Sequence, residues 1–198
     1  MLPVAGFILL AYLLGSIPTA VLYGRVFHSV DVREFGSGNA GATNSLRVLG
    51  KRAGLAVLIV DMFKGFLAVF LAKYFLGVEP AMLIIIGFAA VIGHLLPIFS
   101  GFRGGKGVAT SFGVLLALNP LGALVCFVVF LVFVKLTKYV SLASLLGSFS
   151  FIPFNFWQNP NDHFFQLMAF ILFLLLVFTH RQNVKRLIDG NENRYPPK

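Results

Sequence analysis

Long apolar runs alternate with short polar stretches along the whole chain. The apolar runs cover 2–23, 54–76, 81–99, 108–118, 121–137, 140–156 and 164–179. An α-helix of about 20 apolar residues crosses about 30 Å of hydrocarbon. The pattern therefore predicts an all-α integral membrane protein with seven transmembrane helices, forming a single membrane domain over 1–198. The first run has no basic residues before it and no clear small-residue cleavage site, so it reads as a span and not as a signal peptide. The fourth run is short. About 11 residues rise only ~17 Å, so it is expected to thin the bilayer locally or to be re-entrant. Glu79-Pro80 and Asn119-Pro120 separate neighbouring runs. No internal repeat of the kind that marks inverted-repeat transporters is visible.

Composition agrees with the pattern. Of 198 residues, 58% are hydrophobic and 12% charged, where soluble domains hold about 25% charged residues. Mean hydropathy is +0.89. The single cysteine, Cys126, lies in an apolar run, where it can form neither an intramolecular disulfide nor a Cys-based metal site.

A net charge of +9 could suggest nucleic acid, but the basic residues lie between apolar spans and no basic domain presents them. Membrane topology explains them better. With seven spans, one side of the membrane receives Arg25, Arg33, Arg47, Lys51, Arg52, Arg103, Lys106, Lys135, Lys138, Arg181, Lys185, Arg186, Arg194 and Lys198. Of the 16 basic residues, only Lys64 and Lys73 lie elsewhere. The positive-inside bias makes that side cytoplasmic, with the N-terminus outside and the C-terminus inside.

Four polar segments reach the cytoplasmic side. The first is Gly36-Ser37-Gly38-Asn39-Ala40-Gly41-Ala42-Thr43-Asn44, followed by Arg47. Glycines let successive N–H groups converge into an anion-binding nest. Ser37, Asn39, Thr43 and Asn44 add donors, and Arg47 offers a bidentate fork for phosphate. Residues 36–41 also read G-x-G-x-x-G, but no buried strand precedes them and no βαβ unit follows, so a dinucleotide site is discounted. The second segment runs from Gly93-His94 through Arg103-Gly104-Gly105-Lys106-Gly107 to Thr110. It is not a Walker A loop, since Gly107 stands where a Ser or Thr would hold magnesium. Its physics is similar, because glycines open a helix whose N-terminus attracts anions beside a lysine. His94 could buttress this loop.

The third segment carries Ser141 and Ser144, three apart on one helix face. The fourth carries His180 and Asn183, with the same spacing, at the cytoplasmic end of the last span. Asp61 and Lys64 sit inside the second span at i, i+3, where mutual pairing is the default. Other chemistry lacks its signature. No His precedes an Asp at H-x-x-x-x-D spacing, no G-x-S-x-G elbow occurs, and no metal-binding cluster of His and carboxylates is visible. Acids are few on this side: Asp31, Glu34, Asp189 and Glu192. A site rich in donors and poor in bases points to electrostatic handling of phosphate.

Taken together, these blocks resemble a family, the bacterial inner-membrane glycerol-3-phosphate acyltransferases that use acyl-phosphate (PlsY type). The residues that carry the likeness are LLGSIPTA at 13–20, GSGNAGATN at 36–44, GHLLPIFSGFRGGKGVAT at 93–110, KYVSLAS at 138–144 and HRQNVKRL at 180–187. Leu96 and Arg103 depart from the family's usual Phe and Lys.

The resemblance implies acyl transfer from acyl-phosphate to the sn-1 hydroxyl of glycerol 3-phosphate, giving lysophosphatidic acid and inorganic phosphate. It implies no cofactor, no metal and no direct use of acyl-CoA or acyl carrier protein. Ser37, Arg47, Lys106, His180 and Asn183 would bind glycerol 3-phosphate, with catalysis assigned to Lys106, His180 and Ser37. Thr43, Asn44 and Ser144 would cradle the acyl-phosphate head, and Gly38, Asn39, Gly41, Gly104 and Gly105 would complete the substrate-binding surface. The expected partners are the two substrates and membrane lipid. An organophosphate transporter is the alternative, and would need polar residues through both halves of the membrane. A membrane scaffold is a third reading, and would leave Lys106→Ala harmless.

Overall fold

The computed structural model describes residues 2–195, in which every regular element is helical. Lys198, counted above among the tail charges, lies outside them. The helices are α1 (Leu2–Gly15), α2 (Thr19–His28), α3 (Ala42–Leu49), α4 (Lys51–Leu76), α5 (Pro80–Leu95), α6 (Val108–Leu118), α7 (Pro120–Thr137), α8 (Val140–Gln158), α9 (His163–Thr179) and α10 (Arg181–Ile188).

Five stretches are long and apolar enough to cross a membrane: Pro3–His28, Lys51–Leu76, Pro80–Ser100, Pro120–Thr137 and Val140–Gln158. A sixth counts if α9 and α10, bent 61° from one another, form one broken span. The short fourth run is a helix over the expected residues, apolar but only 11 residues long. The protein is thus an all-helical integral membrane protein with five to six such spans among the described residues.

Two expectations need correction. The first run is not one continuous helix, because it breaks between Gly15 and Thr19. Pro18 has no N–H to give and restricts Ile17 before it. The stretch from 24 to 53 is not merely polar loop either. It holds the end of α2, a 3-10 turn at Val32–Glu34 and the whole of α3. Gly41, with extended backbone, starts α3, and its carbonyl accepts the Ser45 N–H at 3.0 Å. Ala42 and Leu49 then pack on Ala20, Val32 and Val57, which are buried. That apolar contact makes an eight-residue helix worth forming, since a helix this short is marginal alone.

The chain forms two compact units, residues 1–118 and 119–198. In the first, α4 packs on α6, α1 on α5, and α3 on α4. The α4–α6 contact is close because glycines face backbone: a Cβ on Gly65 would strike the Thr110 carbonyl, and one on Gly113 the Met62 carbonyl. Small residues at membrane helix crossings allow this approach. In the second unit, α8 packs on α7 and α9, and α10 touches both α8 and α9. Asn119 caps α7 by accepting the Gly122 N–H at 2.9 Å, and Asp162 caps α9 by accepting the Phe165 N–H at 2.8 Å. Both caps satisfy donors that a helix start leaves open.

Candidate functional site

Within the first unit, both glycine-rich segments are held from inside by polar side chains. In segment 36–44 the strut is Asn44, 2% exposed. Its Oδ1 accepts the Ser37 N–H at 2.8 Å and the Ser37 hydroxyl at 3.1 Å. Its amide nitrogen donates to the carbonyls of Val32 (2.8 Å) and Phe35 (3.1 Å). The Asn44 amide therefore shapes the loop. Gly36 has φ +62, and a Cβ there would collide with Asn44 Oδ1, so both backbone and space call for glycine. Around this strut, Ser37, Gly38 and Thr43 are exposed, while Asn39, Gly41 and Arg47 are half-buried.

The second segment is built around His94. The Gly105 N–H donates to the His94 carbonyl at 3.2 Å. A Cβ on Gly105 would overlap His94 Nε2, and one on Gly104 would overlap the His94 carbonyl oxygen. His94 thus buttresses the loop, as the sequence suggested. The same added Cβ on Gly105 would lie 3.0 Å from the Ala40 carbonyl oxygen, so the two glycine-rich segments abut at Ala40 and Gly105. Lys106, half-buried, follows at the start of α6.

A second tie joins the same segments. Arg33 Nη1 donates to the Ser100 carbonyl at 2.8 Å. Its Nε and Nη2 grip the Asp31 carboxylate at 3.0 and 2.7 Å, and Arg25 reaches the same carboxylate at 3.0 Å. The Arg33 hydrogen bonds hold the Asp31 carboxyl well below the usual carboxylate range, and Asp31 in turn raises the Arg33 pKa. Arg33, counted in the sequence only as topology-setting charge, links the base of the first segment to the second.

The second unit holds the remaining candidates. Ser144 is buried and its hydroxyl donates to the Val140 carbonyl at 2.8 Å. His180, 3% exposed, places Nδ1 2.8 Å from the Leu176 carbonyl. A carbonyl only accepts, so Nδ1 is the donor in this contact. Asn183 donates to Glu192 Oε1 at 2.6 Å.

Glu192 is the residue that sequence reasoning passed over. It also accepts from the Ser141 hydroxyl at 2.8 Å and from Arg186 Nε at 2.8 Å. Burial alone would raise its pKa, but donation by Asn183, Arg186 and Ser141 outweighs burial and leaves it below its ordinary value. Only its spacing to Arg186, six residues along the tail, was available as a signal.

A family model described as glycerol-3-phosphate acyltransferase matches residues 5–190. The glycerol-3-phosphate acyltransferase of Thermoanaerobacter sp. (strain X514) is 44% identical over 188 residues, covering 94% of this chain and 92% of the relative. That of Macrococcus caseolyticus is 45% identical over 191 residues, covering 96% and 95%. Two crystal structures of PlsY (YgiH), an integral membrane glycerol 3-phosphate acyltransferase, superpose on it. The glycerol 3-phosphate form gives a TM-score of 0.92 at 39% identity, covering 98% of this chain and 96% of that one. The lysophosphatidic acid form gives 0.89 at 38%, covering 98% and 95%. On sequence across nearly its whole length and on fold, this chain belongs to the glycerol-3-phosphate acyltransferase family.

Proposed function

We propose that the protein transfers an acyl chain from acyl-phosphate to the sn-1 hydroxyl of glycerol 3-phosphate, the first step of phospholipid synthesis. The observation that supports this most is the meeting of two glycine-rich, donor-bearing segments at Ala40 and Gly105, next to Lys106. A substrate with one phosphate and a co-substrate with another need this density of donors. The full reading has seven spans, the N-terminus outside, and the site at the cytoplasmic face of the bacterial inner membrane as one membrane domain.

In this reading the hydroxyl oxygen of glycerol 3-phosphate bonds to the acyl carbon, and the bond from that carbon to the phosphate oxygen breaks. Ser37, Arg47 and Lys106 hold glycerol 3-phosphate. Lys106 and backbone N–H groups share the negative charge of the departing phosphate, which lowers the barrier by electrostatic stabilisation. Thr43 faces the acyl-phosphate head, and Asn44 supports it by keeping Ser37 and its neighbours in place. In the second unit, Ser144, His180 and Asn183 keep the roles that the family likeness gives them. The hydroxyl proton passes to a phosphate oxygen of the substrate, since no protein base stands out among the residues assigned to the reaction.

The direct test supplies purified protein with acyl-phosphate and glycerol 3-phosphate, with metal removed. Lysophosphatidic acid and inorganic phosphate are expected in equal amounts. Uptake of labelled glycerol 3-phosphate into sealed vesicles without acyl product would instead favour transport. His180→Gln addresses the proton. The variant should retain measurable turnover, whereas a loss of ~10⁴-fold or more with binding intact makes His180 the general base.

A further inference from the structure

Asp61, Lys64 and His94 form a buried cluster of ionisable side chains in the first unit that the proposed chemistry does not use. Lys64 Nζ lies 2.9 Å from Asp61 Oδ1, and the two side chains are 5% and 3% exposed. Both lie on α4, and taking two charges out of water carries a large desolvation penalty, so a pair of apolar residues there would pack at least as well. Ionisable groups inside a membrane segment therefore point to a task other than simple cohesion.

The contacts of this pair lead to the second glycine-rich segment. Lys64 Nζ donates to the Ile17 carbonyl at 3.0 Å, at the break between α1 and α2. The Thr19 hydroxyl donates to Asp61 Oδ1 at 2.9 Å. The same Oδ1 stands 3.7 Å from His94 Nδ1, too long for a hydrogen bond but close enough for the carboxylate's charge to act on the buried ring. The other side of that ring occupies the space where a Gly105 side chain would be, and the His94 carbonyl holds the Gly105 N–H. A short chain of contacts thus runs from the ion pair through one ring to the backbone preceding Lys106.

We propose that Asp61 and Lys64 are positioning residues: acting through His94, they fix the Gly104–Gly105–Lys106 backbone where the phosphate of glycerol 3-phosphate binds. The inference rests on the function proposed above. Steady-state kinetics with both substrates varied test it on the Asp61→Asn/Lys64→Met double variant, which removes both charges together and keeps side-chain size. KM for glycerol 3-phosphate should rise about tenfold while KM for acyl-phosphate stays within about twofold, because the charge that Lys106 shares with the acyl-phosphate develops only as its phosphate leaves and so weighs on kcat. Lys64→Arg, which retains the ion pair, should bring KM back toward the parent value. A folded double variant with unchanged KM, or with both KM values raised equally, overturns the proposal.

If the double variant fails to fold, His94→Gln decides. It leaves the ion pair and the residue-94 carbonyl in place and removes the ring, so the same selective rise in KM is expected, and its absence overturns the proposal. The parent enzyme separates the two readings. No lysophosphatidic acid from the parent sinks the proposed function and this inference with it. An active parent with a kinetically silent variant sinks this inference alone.

Discussion

Lys106→Ala should lower acyl transfer by roughly 10²–10³-fold or more, the usual consequence of losing a charge-stabilising donor aimed at the transition state. Lys106 lies two residues before α6, whose first turn presents N–H groups without intrahelical partners. An ammonium there adds a full charge to the partial positive end of the helix. Gly105→Ala should act one residue earlier by geometry alone. The new methyl would overlap His94 Nε2 and press on the Ala40 carbonyl. His94 is buried and cannot swing into open space, so the loop must move. A displacement of about 1 Å at a phosphate site can cost roughly 10²-fold in rate. Initial rates of lysophosphatidic acid formation, measured on detergent-purified protein of unchanged elution profile, check both variants. A scaffold protein would show full activity in its complexes with Lys106→Ala, which would end the enzymatic reading.

The apolar helices could be read directly from the chain because membrane helices are written as uninterrupted apolar runs. The structure starts and ends most of them within a few residues of the expected positions, with Asn119 and Asp162 as caps. The break at Ile17-Pro18 went unread because it sits inside such a run, where hydropathy stays high and only the proline marks it. Helix α3 went unread for the opposite reason. Eight residues beginning Ala42-Thr43-Asn44 look like loop until Val32 and Val57, from distant positions, provide the surface that Ala42 and Leu49 cover.

At the site, residue types were readable and roles were not. Asn44 appears in the sequence as one donor among several. Only the fold shows its amide spent on Val32, Phe35 and Ser37. Arg33 looked like one more cytoplasmic charge until its guanidinium was seen on Ser100, 67 residues away. The demand for glycine at 105 was invisible too, since it comes from a histidine ring eleven residues earlier in the chain that folds back beneath the loop.

Glu192→Ala should be the most destabilising single change in the second unit. Its carboxylate is 5% exposed and gathers donors from three places: Ser141 on α8, and Asn183 and Arg186 on α10. Truncating it removes three hydrogen bonds to one carboxylate, at a cost on the order of 2–4 kcal/mol, given the strength of hydrogen bonds to charged groups. Helix α10 has eight residues, too few to persist by propensity, so its attachment to α8 depends heavily on this one side chain. Losing it removes the Asn183 contact with Glu192 and loosens the neighbourhood of His180, whose carbonyl accepts the Asn183 N–H, and activity should fall with stability. Thermal unfolding of the purified protein checks the first effect and the acyl-transfer assay the second. An unchanged midpoint would show that α10 is held by something else. The pH dependence gives a separate reading. Folding lowers the Glu192 pKa, so the stability it contributes is fully present above the unfolded value of about 4.3. That stability is lost as pH falls through the lower folded value. The parent's midpoint should drop on acidification below about pH 4, and Glu192→Gln, which has no carboxylate to protonate, should start lower and lose that part of the slope.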